Sequence, residues 1–222
     1  MKLLVTRPEP GATSTTAKLA AMGHEAFALP CLTVTPVTAH LPPNPAALIV
    51  TSGQAVAALP TRLHHIPVFC VGDATADKLR LAGFTCVESA NGDAEALTRL
   101  VIARNVKGLH VLATGERLGQ KLAATLRLAG ISVLRRKVYK VTKLAAMPEP
   151  TRMALERGYF DGVLFYSSET ARAFAKLRPP GTDRLQAYAL SQNIGKGLQE
   201  LPWSAIHVAC APTEADLMAL LT

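Results

Sequence analysis

Leu3–Ala26 reads LLVTRPEPGATSTTAKLAAMGHEA, and His110–Val133 reads HVLATGERLGQKLAATLRLAGISV. The two stretches align without a gap. Each opens on a short apolar run, passes through a turn, and continues as a helical pattern. Each then meets a glycine, Gly23 or Gly130, before a second extended run. That order is strand, helix, strand, the unit from which parallel sheets are built. A second pair follows the same logic. ALIVTSGQAVAA from Ala47 matches VLFYSSETARAF from Val163, and FCVGDATADKL from Phe69 then matches YALSQNIGKGL from Tyr188 after a short gap. The chain therefore reads as unit X, unit Y, unit X, unit Y, a fold built twice. Ordinary similarity among βαβ units is the alternative reading of the same pattern.

Working outward, the sequence predicts strands at Leu3–Thr6, Glu25–Leu29, Leu48–Thr51, Val68–Val71, Thr85–Glu88, His110–Ala113, Ser132–Val141, Val163–Ser167, Ala187–Leu190 and Ile206–Cys210. Between most of them lie stretches with apolar positions three and four apart, such as Leu118, Leu122, Leu126 and Ala129. Ten strands over 222 residues suit two five-stranded sheets better than one. Two extended runs rich in β-branched residues, CLTVTPV at 31–37 and RRKVYKVTK at 135–143, each leave an X unit and read as paired crossings between domains. The expected fold class is α/β, with two doubly wound parallel-sheet domains, the second inserted in the first. The expected boundaries are residues 1–34 with 145–222 for domain 1 and 35–144 for domain 2, with a hinged cleft between them.

Composition narrows the function. The chain is 49 % hydrophobic and 18 % charged, so it has material for a core and is not a disordered segment. Aromatics make up 5 %, which leaves the packing to aliphatic residues and alanine. MKLLVTRPEPG has too short an apolar run for a signal peptide. The charge-free stretch from Ala26 to Thr61 is broken by Pro30, Pro36, Pro42, Pro43, Pro45 and Pro60, so it does not read as a membrane span. A cytoplasmic protein is expected. Cys31, Cys70, Cys86 and Cys210 lack any metal-ligand spacing and read as buried small hydrophobes; no metal is expected.

Two features could carry chemistry. Between Arg117 and Pro148 there is no acidic residue, while Arg117, Lys121, Arg127, Arg135, Arg136, Lys137, Lys140 and Lys143 all lie there, matching the whole net charge of +8. A small polyanion, a nucleic acid and a merely solvated surface all fit that run. The nucleic-acid reading lacks interleaved aromatics and any known reading motif. The second feature is the set of strand-to-helix turns, VTRPEPGATSTT, VTSGQAVA, VGDATADK, ATGERLGQK, YSSETARA and LSQNIGKG. Such turns cap helices, and together at one sheet edge they would also offer N–H groups to anions. Dinucleotide, P-loop and nucleophile-elbow motifs are absent: in ATGERLGQKL the glycines stand too close, and no Ser or Thr follows Lys121.

LLVTRPEPG, LAAMGHEA, IVTSGQAVAAL, VFCVGDATADKLRLAGF, LRLAGISVLRRKVYKV and LFYSSETARAF, taken in order, resemble the uroporphyrinogen-III synthase family across essentially the whole chain. The resemblance implies two flavodoxin-like domains, the second inserted in the first, joined by a two-stranded linker. It implies an enzyme that takes the linear tetrapyrrole hydroxymethylbilane, removes its terminal hydroxyl as water, inverts ring D and closes the macrocycle, with no metal or organic cofactor. The partner is then a small molecule bearing eight carboxylates, with no nucleic acid and no membrane, and a monomer is expected. A non-catalytic two-domain receptor for a small polyanion is the alternative. By resemblance, Tyr139 matches the family tyrosine proposed to assist departure of the hydroxyl; a phenol with a pKa near ~10 stays protonated at neutral pH and can donate. Thr51, Ser52, Thr75, Ser167 and Ser168 fall on positions that line the family's cleft, and Arg7 matches the arginine of its T-R-P turn. The chain departs from the family pattern twice. Asn193, a candidate for substrate binding, and Ile194 stand where many relatives have threonines. Gly119 stands where an arginine is often found, leaving Arg117 or Lys121 to substitute.

Overall fold

A computed structural model describes residues 1–116 and 118–221. The chain divides into two compact units: Met1–Thr33 together with the chain from Thr142 onward, and Val34–Val141.

The first unit holds a five-stranded parallel sheet. Its strands are β1 (Lys2–Val5), β2 (Glu25–Ala28), β9 (Gly162–Phe165), β10 (Gln186–Ala189) and β11 (Ala205–Val208), in the spatial order β11-β10-β9-β1-β2. Runs such as KLLV and GVLF are apolar almost throughout because both faces of the sheet are covered. On one face Leu3, Val5, Leu164 and Tyr188 pack with Leu19 of α1 (Gly11–Ala21) and Leu217 of α8 (Glu214–Ala219). Toward α6 (Ser168–Lys176), Phe165, Phe174 and Trp203 form an aromatic group, with Phe174 and Trp203 stacked at 6.0 Å. The remaining helices of this unit are α5 (Glu149–Glu156) and α7 (Gln192–Leu198).

The second unit has six strands, one more than the sequence predicts. They are β3 (Leu32–Pro36), β4 (Ala47–Val50), β5 (Val68–Cys70), β6 (Val87–Ser89), β7 (His110–Gly115) and β8 (Val133–Lys143), ordered β3-β8-β7-β4-β5-β6. The added strand is β3, within the run anticipated as a crossing. Residues of β4 alternate between two cores. Ala47 and Ile49 face Leu97 and Val101 of α3 (Ala94–Arg104) and Leu122 and Leu126 of α4 (Gln120–Leu128). Leu48 and Val50 face Ala76 and Leu79 of α2 (Asp73–Leu81). The stretch after β4, expected to be an α-helix, is the 3-10 turn Gly53–Ala58. Leu118 and Ala129, read as part of a buried helical stripe, lie outside α4, and Leu118 is half exposed. Cys31 and Cys70 are buried, but Cys86 and Cys210 are exposed, which corrects the expectation for those two.

The duplication seen in the sequence maps onto the sheets strand for strand. In the first unit the order follows the flavodoxin-like pattern 2-1-3-4-5, counted along the chain. In the second unit β7, β8, β4, β5 and β6 take those same five places, so the connectivity is circularly permuted. β1 thus corresponds to β7 and β9 to β4, as their sequence matches require. The chain leaves the first unit along β3 and returns along β8. Leu144 N–H donates to Cys31 O at 2.9 Å and Val37 N–H to Val138 O at 2.8 Å, one antiparallel register throughout.

Candidate functional site

In an α/β sheet, the carboxyl ends of the strands on either side of the point where the winding reverses are where loops diverge and a ligand can enter. In the first unit that point lies between β1 and β9. Thr6 at the end of β1 donates its hydroxyl to Leu164 O at 2.7 Å, tying the two strands together. Beyond it, Arg7 turns back over α1. Its Nη1 donates to Thr15 Oγ1 at 3.1 Å and to Glu214 Oε1 at 2.9 Å, and its guanidinium lies 4.0 Å from the centre of the Tyr166 ring. The Tyr166 hydroxyl donates to the same Glu214 oxygen at 3.2 Å, and Lys18 pairs with the other. Gly11 makes room: a Cβ there would sit 2.8 Å from Arg7 Cζ.

Electrostatics makes this cluster internally complete. Burial would lift the Glu214 carboxyl, but Lys18, Tyr166 and Arg7 together hold it below the usual carboxylate range. Burial also raises the Tyr166 phenol to about 12, so it remains a donor. Arg7 therefore meets a carboxylate of its own chain, 207 residues away, rather than standing free. Sequence reasoning singled out Arg7 and missed Thr15, Lys18, Tyr166 and Glu214. Thr15, within the turn VTRPEPGATSTT, and Tyr166, at the head of YSSETARA, carried a signal; Lys18 and Glu214 carried none.

The other candidates of this unit sit on neighbouring loops at the same edge. Ser167 is the N-cap of α6, accepting from Thr170 N–H at 3.1 Å, with its oxygen 2.6 Å from Thr170 Oγ1. Ser168 opens the helix and is half-buried. Asn193 lies exposed in the first turn of α7, whose N-cap Ser191 makes no side-chain capping bond; Ile194 is buried.

In the second unit the reversal lies between β7 and β4. Thr51 and Ser52 follow β4, both half-buried, and Ser52 accepts from Gln54 N–H at 3.3 Å. Lys78, which the sequence did not mark, reaches this turn from α2: a Cβ on Gly53 would meet its Cδ at 2.6 Å and its Nζ at 3.4 Å. Thr75 is buried in the first turn of α2, whose N-cap Gly72 has no side chain with which to cap it. The first N–H groups of α2 thus retain the anion-facing character of an open helix end.

Tyr139 is brought to this edge by an irregularity. Along β7 and β8, Thr114 pairs with Lys137 but Gly115 pairs with Tyr139, so one residue, Val138, is extra. In such a bulge two consecutive side chains can turn toward one face. Val138 and Tyr139 are in fact both buried in the same core cluster, at 0 % and 2 % exposure. The bulge seats the Tyr139 ring against Gly115.

Much of the basic run serves the fold. Arg127 donates twice to Val133 O, Arg135 donates to Leu118 O at 2.9 Å, and Arg136 donates to His40 O at 3.0 Å. Lys137 lies 3.6 Å from the Glu116 carboxylate. Lys121, Lys140 and Lys143 are exposed; Arg117 lies outside the described residues. Among the described residues no helix is long and apolar enough to cross a membrane.

The sequence model of the family described as Uroporphyrinogen-III synthase HemD matches residues 13–219. Among solved structures, the chain is similar to the uroporphyrinogen-III synthetase of Helicobacter pylori 26695, at 18 % identity and TM-score 0.67, covering 99 % of this chain and 97 % of that one. It is also similar to a mutant uroporphyrinogen III synthase of the extremely thermophilic bacterium Thermus thermophilus, at 17 % identity and TM-score 0.58, covering 100 % and 97 %. At these identities the structural likeness speaks for the fold. No curated protein matches the chain by sequence at a significant level.

Proposed function

This chain belongs to the uroporphyrinogen-III synthase family, and from that premise we infer how its residues divide the work of the reaction. The protein is a cyclising lyase of heme biosynthesis, acting on a small tetrapyrrole substrate. The observation that carries the reading is the family match, which takes in the strands from β2 to β11 and every candidate residue except Arg7.

The chemistry asks little of a nucleophile. A pyrrole nitrogen can expel the terminal hydroxyl of hydroxymethylbilane, leaving an electron-poor azafulvene. Unaided closure of that species gives the uninverted isomer. To obtain the type III product the protein must hold the flexible chain so that the substituted carbon of ring D attacks, through a spiro intermediate that then rearranges. Holding such a near-attack geometry can supply several kcal/mol of the barrier. The donors at the carboxyl edges of the two sheets are suited to the task. Thr51, Ser52 and the open end of α2 with Thr75 offer hydroxyl and N–H groups to acetate and propionate carboxylates. Ser168 and Asn193 offer the same in the first unit. Ser167 and Arg7 are already engaged within the chain and serve mainly to fix their loops. Tyr139 donates a proton to the departing hydroxyl. The enzyme works as a cytoplasmic monomer without metal or organic cofactor, and it does not bind nucleic acid.

Turnover tests the reading. With freshly generated hydroxymethylbilane, followed by oxidation and chromatographic resolution of the isomers, the type III product is expected to exceed the spontaneous type I product. An isomer ratio unchanged from the protein-free control would leave the alternative, a polyanion receptor, standing.

A further inference from the structure

We propose that Gly115 is a positioning residue for the reaction: by lacking a side chain it lets the Tyr139 ring lie against the end of β7, and so fixes the place of the phenolic hydroxyl. The proposal rests on the role assigned above to Tyr139. It arises from three observations that the sequence motifs did not contain.

The first is the fit. A Cβ on Gly115 would stand 2.8 Å from Tyr139 Cε2, 2.9 Å from Cζ and 3.1 Å from the hydroxyl oxygen. Those are distances at which something must move. The second is that the backbone does not demand glycine. Gly115 is absent from the residues with positive φ, so an alanine suits its backbone, and the three nearest atoms in its way all belong to the Tyr139 side chain. The third is the bulge. Gly115 is the residue opposite Tyr139 where the register shifts, and Glu116 N–H donates to Tyr139 O at 3.1 Å, holding the pair together from the backbone side. The ring has nowhere to retreat at no cost, since it is 2 % exposed and packed with Val138 and its neighbours. A methyl at position 115 would therefore tilt the ring and carry its hydroxyl, the group farthest along the lever, away from its post. Displacement of about 1 Å in a reacting group can cost up to a hundredfold in rate.

The test is a double-mutant cycle on turnover, joined to a spectroscopic readout. Gly115→Ala is expected to lower kcat roughly tenfold or more while changing KM by less than about twofold. In a Tyr139→Phe background the same Gly115→Ala change is expected to cost nothing further, because the displaced hydroxyl is already gone. With 3-fluorotyrosine incorporated at the four tyrosines, the fluorine resonance of Tyr139 is expected to shift in Gly115→Ala while those of Tyr159, Tyr166 and Tyr188 stay. A Gly115→Ala enzyme with wild-type kcat overturns the proposal, and so does a loss that multiplies with that of Tyr139→Phe. Should Gly115→Ala fail to fold, adding Tyr139→Leu removes the atoms in the way and is expected to restore folding; continued failure overturns the proposal. Wild-type turnover by Tyr139→Phe alone would instead defeat the role given to Tyr139, while the fluorine shift would still report on the packing.

Discussion

Glu214 ties three side chains of the first unit together, receiving Arg7, Lys18 and Tyr166 at once. Glu214→Gln keeps the shape but leaves two cations facing each other. The expected cost is ~1 kcal/mol, held down by the partial exposure of the partners, and is measured as a lowered urea midpoint at pH 7. The sign with pH follows from the lowered carboxyl. Its stabilisation is fully present above the unfolded value near 4.5 and is lost as pH falls through the folded one. The wild-type protein is therefore expected to lose part of its stability on the acid side of pH 4.5, and the variant to lose less there. Arg7 was legible through the resemblance, because it matches the arginine of the family's T-R-P turn. Its partner was not, because nothing local joins residues 207 apart; only the packing of α8 and α1 on the same sheet face brings Glu214 to Arg7. Gly115 was invisible for a related reason. Its meaning lies in a ring on the next strand, across a register shift that no hydropathy pattern records.

Ends of elements, more than their middles, separate the helices of this protein. The hydroxyl of Ser167 and the carboxylate of Asp93 cap α6 and α3, while α2 and α7 start without a side-chain cap. Ser167→Ala is expected to lower stability by ~1 kcal/mol through the lost cap on Thr170 N–H. Trp203, stacked on Phe174 of the same helix, provides the fluorescence signal for a denaturant titration. Strands were the most legible elements, since fully buried parallel runs such as ALIV stand out as apolar blocks bounded by turns. The helical pattern after β4 was misleading: VTSGQAVAAL has helical spacing, but Pro60 follows closely and the stretch closes as a 3-10 turn. The basic run misled in another way. Arginines that bind backbone carbonyls at strand ends, as Arg127, Arg135 and Arg136 do, look in sequence like a surface awaiting an anion.

At the scale of the whole chain, two compact units imply two transitions. The single tryptophan, Trp203, reports on the first unit alone, whereas far-UV circular dichroism reports on both. His110, buried in the second unit, supplies a way to move one without the other. Its Nδ1 lies 3.1 Å from Gly108 O, its Nε2 has no hydrogen-bond partner among the described residues, and burial lowers its pKa. A histidine kept neutral in the fold destabilises as pH drops below its unfolded value near 6.5, because the unfolded chain takes up the proton more readily. Between about pH 7.5 and 5, the circular-dichroism midpoint of the wild type is expected to fall further than that of His110→Asn. The Trp203 midpoint should show no such difference between the two proteins. The repeat was legible from the sequence, but the permutation was not, because strand order depends on which edges meet and matched segments are silent about that. The antiparallel pairing of β3 with β8 carries one last consequence. With Leu144 bonded to Cys31 and Val37 to Val138 in a single register, the outgoing crossing at 33–34 and the homeward crossing at 141–142 fall on the same rung. The inner lobe is thus a cassette whose two ends arrive side by side, so a polypeptide of residues 34–141 alone is expected to unfold cooperatively in urea by circular dichroism, and a direct joint from Thr33 to Thr142 is expected to leave the Trp203 transition in place.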